Sequence, residues 1–180
     1  METDFKCIDK NKHAVIINGE LVGVMGAGVK NKEYLGTTTP TKFSDALVVT
    51  THIDGSEPPH NYVFVFGSNL AGIHGGGAAK FAHQTRGLKY NFGATGYFKA
   101  SATYGIPTKN HNIETLDLDE IKPYIAQFVM FTHHYPRLHF FITAVGCGLA
   151  GLKDKDVAPL FKDINRANCS IPEQWTQYFN

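Results

Sequence analysis

Residues 62–82 constrain the fold more than any other stretch. Tyr62-Val63-Phe64-Val65-Phe66 is apolar on both faces, as a buried parallel strand is. Gly67-Ser68-Asn69 and His74-Gly75-Gly76-Gly77 form a glycine-rich turn behind it. Ala78, Phe81 and Ala82 then recur at helical spacing, and Gly87 is placed to end a helix over 77–86. Strand, glycine loop and helix start, in that order, aim backbone N–H groups at an anion. A second loop, Gly146-Cys147-Gly148-Leu149-Ala150-Gly151, follows another apolar run over 138–145. Two such loops leaving one parallel sheet share the rim at which α/β sheets hold ligands.

The rest of the chain supports that sheet. His13-Ala14-Val15-Ile16-Ile17, Asn18-Gly19 and Glu20-Leu21-Val22-Gly23-Val24-Met25 read as strand, tight turn and returning strand. A further strand is expected over 46–51. Asp54-Gly55-Ser56-Glu57-Pro58-Pro59 reads as a loop, because consecutive prolines suit neither a helix nor a central strand. We place a boundary there, with residues 1–60 as an N-terminal β-rich extension packed on a main domain of residues 61–180. Residues 21–28 echo 70–77 in one leucine and three glycines, but no helical pattern follows Gly28, which favours a glycine-rich corner. Residues 90–101 read as a surface loop and 102–106 as a strand stopped by Pro107. Asp119 is placed to cap a helix running to about His134, with Ile121, Tyr124, Ile125, Phe128 and Val129 on one face. A short helix follows from Asp156, and Ile171 to Trp175 lay a last apolar segment on the body. Alternating strands and helices imply an α/β class with a mixed, largely parallel central sheet.

Composition narrows the partners. The net charge is +1 and Lys and Arg form no dense run, so nothing argues for nucleic acid. No apolar run reaches membrane-spanning length, and the opening Met1-Glu2-Thr3-Asp4-Phe5-Lys6 does not read as a signal peptide. Cys7, Cys147 and Cys169 form no CxxC pair, which fits a reducing cytoplasm without structural disulfides. The expected partner is a small molecule, with no cofactor and no metal. His133, His134 and His139 lack a familiar ligand spacing. Oligomeric state is left open.

The two loops carry a resemblance. Gly67-Ser68-Asn69 with His74-Gly75-Gly76-Gly77-Ala78-Ala79 resembles the asparagine and glycine-rich loop of macrodomains. Val145-Gly146-Cys147-Gly148-Leu149-Ala150-Gly151-Leu152 is similar to their second loop. The likeness spans about 62–161 and is nearest to a macrodomain-like family of bacteria and their phages, so a phage-encoded copy would work in the host cytoplasm. It implies a three-layer α/β/α module that binds ADP-ribose or a related adenine nucleotide. It further implies that Asn69 meets the distal ribose, that Gly75, Gly76 and Gly77 sit by that ribose and the adjoining phosphate, and that Gly146, Cys147, Gly148 and Leu149 offer N–H groups to the diphosphate. Gly67 and Ser68 complete the first loop. An acidic residue holding adenine is also implied, and Asp54 and Glu57 are available.

Catalysis is a separate question. The deacylating members of the family, whose second loop reads Gly-Cys-Gly-Leu-Asp, have an aspartate where this chain has Ala150; their nucleophilic lysine falls near His83, with Lys80 one turn earlier. Asn69 and His74 are the catalytic candidates, His74 because imidazole titrates near neutrality; the plainer reading of His74 is an exposed turn residue. Cys147 is a nucleophile only if a base pairs with it, and a packed thiol otherwise. Tyr97, Phe98 and Tyr104 either wall an adenine or pack in the core. Three functions stay open: an ADP-ribosyl hydrolase, a non-catalytic reader or sponge of a nucleotide signal, and an interaction protein with a vestigial pocket.

Overall fold

A computed structural model describes residues 3–9, 12–17, 20–26 and 49–179. The chain divides into two compact units, Met1–Val48 and Val49–Asn180. In the first, β1 (Thr3–Asp9), β2 (Lys12–Ile17) and β3 (Glu20–Gly26) form an antiparallel sheet in that order. Ile17 registers with Glu20 across the β2–β3 pair. The Asn18-Gly19 turn, Gly28 and residues 46–48 of the expected fourth strand lie outside the described residues.

The second unit is α/β. Its strands are β4 (Thr50–His52), β5 (Tyr62–Asn69), β6 (Gly96–Phe98), β7 (Thr103–Lys109), β8 (His139–Ile142) and β9 (Cys169–Pro172). They line up β4-β9-β8-β5-β7-β6, all parallel except β6, which runs antiparallel to β7. Because β4 belongs to this sheet, the 53–59 loop sits inside the unit and not at its border. The helices are α1 (Gly77–Gln84), α2 (Leu118–His134) and the single turn α3 (Asp154–Val157). Among the described residues, no helix is long and apolar enough to cross a membrane.

Strand alternation splits the core between the two sheet faces. Val63, Val65, Phe140 and Ile142 join Ile121, Ile125 and Phe128 of α2. Phe64, Phe66 and Phe141 join Ala79 and Ala82 of α1. Each large apolar side chain fully buried this way contributes on the order of 2 kcal/mol.

Several expected boundaries shift. The α2 N-cap is Asp117, two residues before Asp119; its N–H donates to the Glu120 carboxylate at 2.9 Å. Pro123 stays inside α2 near its start, where few backbone bonds are at stake. β7 runs through Pro107 instead of stopping there. β6 is paired only as far as Gly105 and the edge is taken up again by the Lys109–Thr115 bridge, so Pro107 falls in the gap between the two, where a missing N–H breaks no ladder. Residues 90–101, expected as a loop, hold β6 and a 3₁₀ turn. The final apolar segment begins as β9, an interior strand, before a 3₁₀ turn seats Trp175 in the core.

Candidate functional site

β5 and β8 are parallel neighbours, so the loops that leave them lie side by side at one rim. They line a cleft of about 910 Å³ together with the 54–58 loop after β4 and the end of β7. Gly67, Ser68, Asn69, Gly75, Gly76 and Gly77 line it from one jaw. Gly146, Gly148, Leu149 and Ala150 line it from the other.

Close approach of neighbouring atoms bears on two of these glycines, of backbone at Gly67 and of a side-chain tip at Gly76. A Cβ on Gly67 would lie 3.2 Å from the Gly146 nitrogen and 3.3 Å from the Thr108 hydroxyl, so a side chain there would require the base of the jaws to give by a few tenths of an ångström. Gly76 has an extended backbone open to any residue, with φ −149°, yet a Cβ there would come within 2.7 Å of Leu149 Cδ1. Leu149, 73% exposed, lies across to the opposite loop. Gly146 is glycine for a different reason: its φ of +78° is left-handed.

Free donors face this space. The first-turn N–H groups of a helix have no intrahelical partner and carry the positive end of its dipole. Here they are those of Gly77, Ala78 and Ala79, all on the cleft, and no acidic residue occupies that turn. Among the described residues, no acceptor meets the N–H of Gly75, Gly148 or Leu149 either.

The polar side chains of the first jaw hold the jaw itself. Asn69 Nδ2 donates to Ile73 O at 2.5 Å, and Ile73 N–H donates back to Asn69 Oδ1 at 2.9 Å. Both ends of the amide expected to meet a ribose are therefore closing a turn. The Ser68 hydroxyl donates to Ala94 O. His74 is neither exposed nor on the cleft. It is fully buried beneath the loop, packed near Phe66 and Tyr90, and its Nε2–H donates to Phe92 O at 2.7 Å. Its Nδ1 is buried with no partner among the described residues. The apolar floor under the glycine loop draws the imidazole inward.

Cys147 departs from expectation as well. Its N–H donates to Ala144 O at 3.0 Å, so that donor is engaged within the loop. Burial first, and the neighbouring Asp154 next, push its thiol up to about 12, far from a nucleophile's range. Lys80 and His83 stand off the cleft on α1, with His83 Nδ1–H donating to Leu88 O at 2.6 Å. Tyr104 is core, packed on Phe128 and Phe131, and Tyr97 also packs on Phe131. Phe98 lies against Phe92. None of the three lines the cleft. His133 and His134 bond to backbone carbonyls of Asp163 and Met130, and His139 stacks on Tyr62.

The third wall is the 54–58 loop. Asp54 accepts the Ala144 N–H at 3.1 Å, tying this loop to the one after β8. Arg86 anchors it from below by donating to four carbonyls, those of Pro58, Pro59, His60 and Tyr62, at 3.1–3.4 Å. Beneath Asp54, His52 stacks on Phe141 with ring centroids 3.6 Å apart and pairs with Ser170 at 2.7 Å. Burial holds its pKa down to about 4 against the opposing charge of Asp54. Lys109, Thr108, Ile113 and Phe141 are among the further residues that line the cleft. Nothing local in the sequence marks them, because their place depends on which strands are neighbours.

Compared with known proteins, the chain matches no family model, no curated protein and no solved structure.

Proposed function

We propose that the cleft binds ADP-ribose or a closely related adenine nucleotide between its two glycine-rich loops, and that the unit is a three-layer, macrodomain-like module acting as a reader or sponge of that nucleotide. The single observation that carries this reading is the convergence of both loops on one cleft. On it, the N–H groups of Gly75, Gly77, Ala78 and Ala79 face a diphosphate from one jaw and those of Gly148 and Leu149 from the other. Asp54 and Glu57 stand at the β4 end, where an acceptor suits an adenine amine.

Retention is favoured over turnover by the same geometry. His74 is sealed under the loop, the Cys147 thiol is held protonated, and Ala150 lines the cleft where a carboxylate would be needed. The test is calorimetry and thermal shift with ADP-ribose, NAD, AMP and cyclic or phosphorylated derivatives. ADP-ribose at 100 times its Kd should stabilise the fold by about 2.7 kcal/mol. Flat responses across the panel contradict the reading.

A further inference from the structure

Ile113 breaks the rule of its own turn. Lys109 and Thr115 form an antiparallel bridge. Inside it the Asn110 N–H donates to Glu114 O at 2.8 Å, and the Glu114 N–H donates to Asn110 Oδ1 at 3.0 Å. The Asn112 N–H donates to the same Oδ1 at 2.9 Å, and the Ile113 N–H to Asn110 O at 3.2 Å. The last loop residue of such a tight turn takes a left-handed backbone, a place for glycine or asparagine. Here that residue is Ile113, at φ +67°, with Asn112 one position short of it. A β-branched side chain is strained there, and such strain persists only where the surroundings enforce it.

The surroundings do enforce it, and the core gains nothing from the isoleucine. The turn is fastened to both jaws: Lys109 O accepts the Leu70 N–H at 2.9 Å, and the Thr115 hydroxyl donates to Ala150 O at 3.0 Å. Ile113 is 39% exposed and belongs to neither core cluster among the described residues. It lines the cleft instead, as do the exposed Ile73 and Leu149 from the loops after β5 and β8. Exposed aliphatics scattered singly need no explanation, but three converging from three loops on one cleft mark a surface that something covers.

An aliphatic group cannot satisfy a phosphate. A flat base has an aromatic floor elsewhere on the cleft, in Phe64, Phe81 and Phe141. Those three pack on the α1 face of the sheet, whereas the turn leads into α2 on the other face. A diphosphate held between the loops therefore separates the base from Ile113, and the group left beside Ile113 is the second sugar. We infer that Ile113 is a specificity residue, kept despite its strain because it packs on the carbon face of that sugar. This rests on the nucleotide reading above and adds to it a contact that stabilises the ligand and not the fold.

The test is calorimetry and ligand-free thermal unfolding of the wild type, Ile113→Asn, Ile113→Gly and Ile113→Val, with ADP-ribose and with ADP, which lacks the second sugar. Ile113→Asn should melt a few degrees higher, because asparagine accepts the left-handed backbone. It should bind ADP-ribose about fivefold or more weakly and ADP within about twofold of the wild type. Ile113→Gly should lose the same affinity with a smaller rise in melting, since glycine also loosens the unfolded chain. Ile113→Val keeps the strain and most of the apolar surface, and should match the wild type in both measurements. Unchanged ADP-ribose affinity in Ile113→Asn and Ile113→Gly overturns the inference and leaves the nucleotide reading standing. So does an equal loss for ADP, since the contact is then not with the second sugar. Lower melting in both variants also overturns it, because the isoleucine then supports the turn. Binding of neither nucleotide by the wild type overturns the nucleotide reading itself, and this inference with it.

Discussion

The two jaws of the cleft are built differently. The first is braced by side chains: Asn69 closes a turn onto Ile73, while Ser68 and the buried His74 reach out to Ala94 and Phe92. The second is held mainly by its own backbone turns, Cys147 N–H to Ala144 O, Gly151 N–H to Gly148 O and Leu152 N–H to Gly146 O, with one outside tie from the Thr115 hydroxyl to Ala150 O at 3.0 Å. It ends in an exposed leucine laid toward its neighbour. A jaw tied to the core is preorganised and binds without further ordering cost. A jaw tied to itself adjusts locally. On the proposed reading, the first sets where a ligand sits, and the second sets how it enters.

The contrast breaks most visibly at His74. His74→Ala leaves a cavity and strips Phe92 O of its donor, and should cost about 3 kcal/mol of stability, read by denaturant unfolding. Leu149→Ala, on the other jaw, should stay within about 0.5 kcal/mol. Similar losses at both positions would erase the distinction between the jaws.

A smaller effect comes from the wall beside them. His52 titrates near 4 in the fold against 6.5 when free, so the unfolded chain binds more protons between those values. Its contribution is full above pH 6.5 and declines as pH falls toward 4. Melting temperature should therefore drop over that window, and the slope should flatten in His52→Phe, which keeps the stacking on Phe141.

The smallest effect sharpens the second jaw. Gly76→Ala should displace only the Leu149 side chain, with little change in melting temperature and a measurable change in ligand association rate. In a Leu149→Ala background the same substitution should do nothing further. A double-mutant cycle in binding should give a coupling of about 0.5–1 kcal/mol, and zero coupling would mean that Leu149 does not strap the loops.

What the sequence made legible was local. The two-faced apolar run of β5, the helical spacing of α2 and the paired glycine loops each carry their signal within a few residues, and they predicted the α/β class and the shared rim. Less legible was whatever depends on neighbours. β9 is four residues long and reads as a tail until β8 is seen beside it. Pro107 looks like a stop unless the gap it occupies, between the β6 pairing that ends at Gly105 and the bridge at Lys109, is known. His74 carries no mark of burial, because the aromatic floor that encloses it comes from β5 and the 87–95 segment. Lys109 reaches the cleft only through the β5–β7 register.

The central claim is that both loops hold one ligand at once. The direct measurement is amide chemical-shift mapping on titration with ADP-ribose. The account predicts that the resonances of Gly75 to Ala79 and of Gly148 to Ala150 move together along a single saturation curve. Shifts confined to one loop, or two loops saturating at different concentrations, would contradict it.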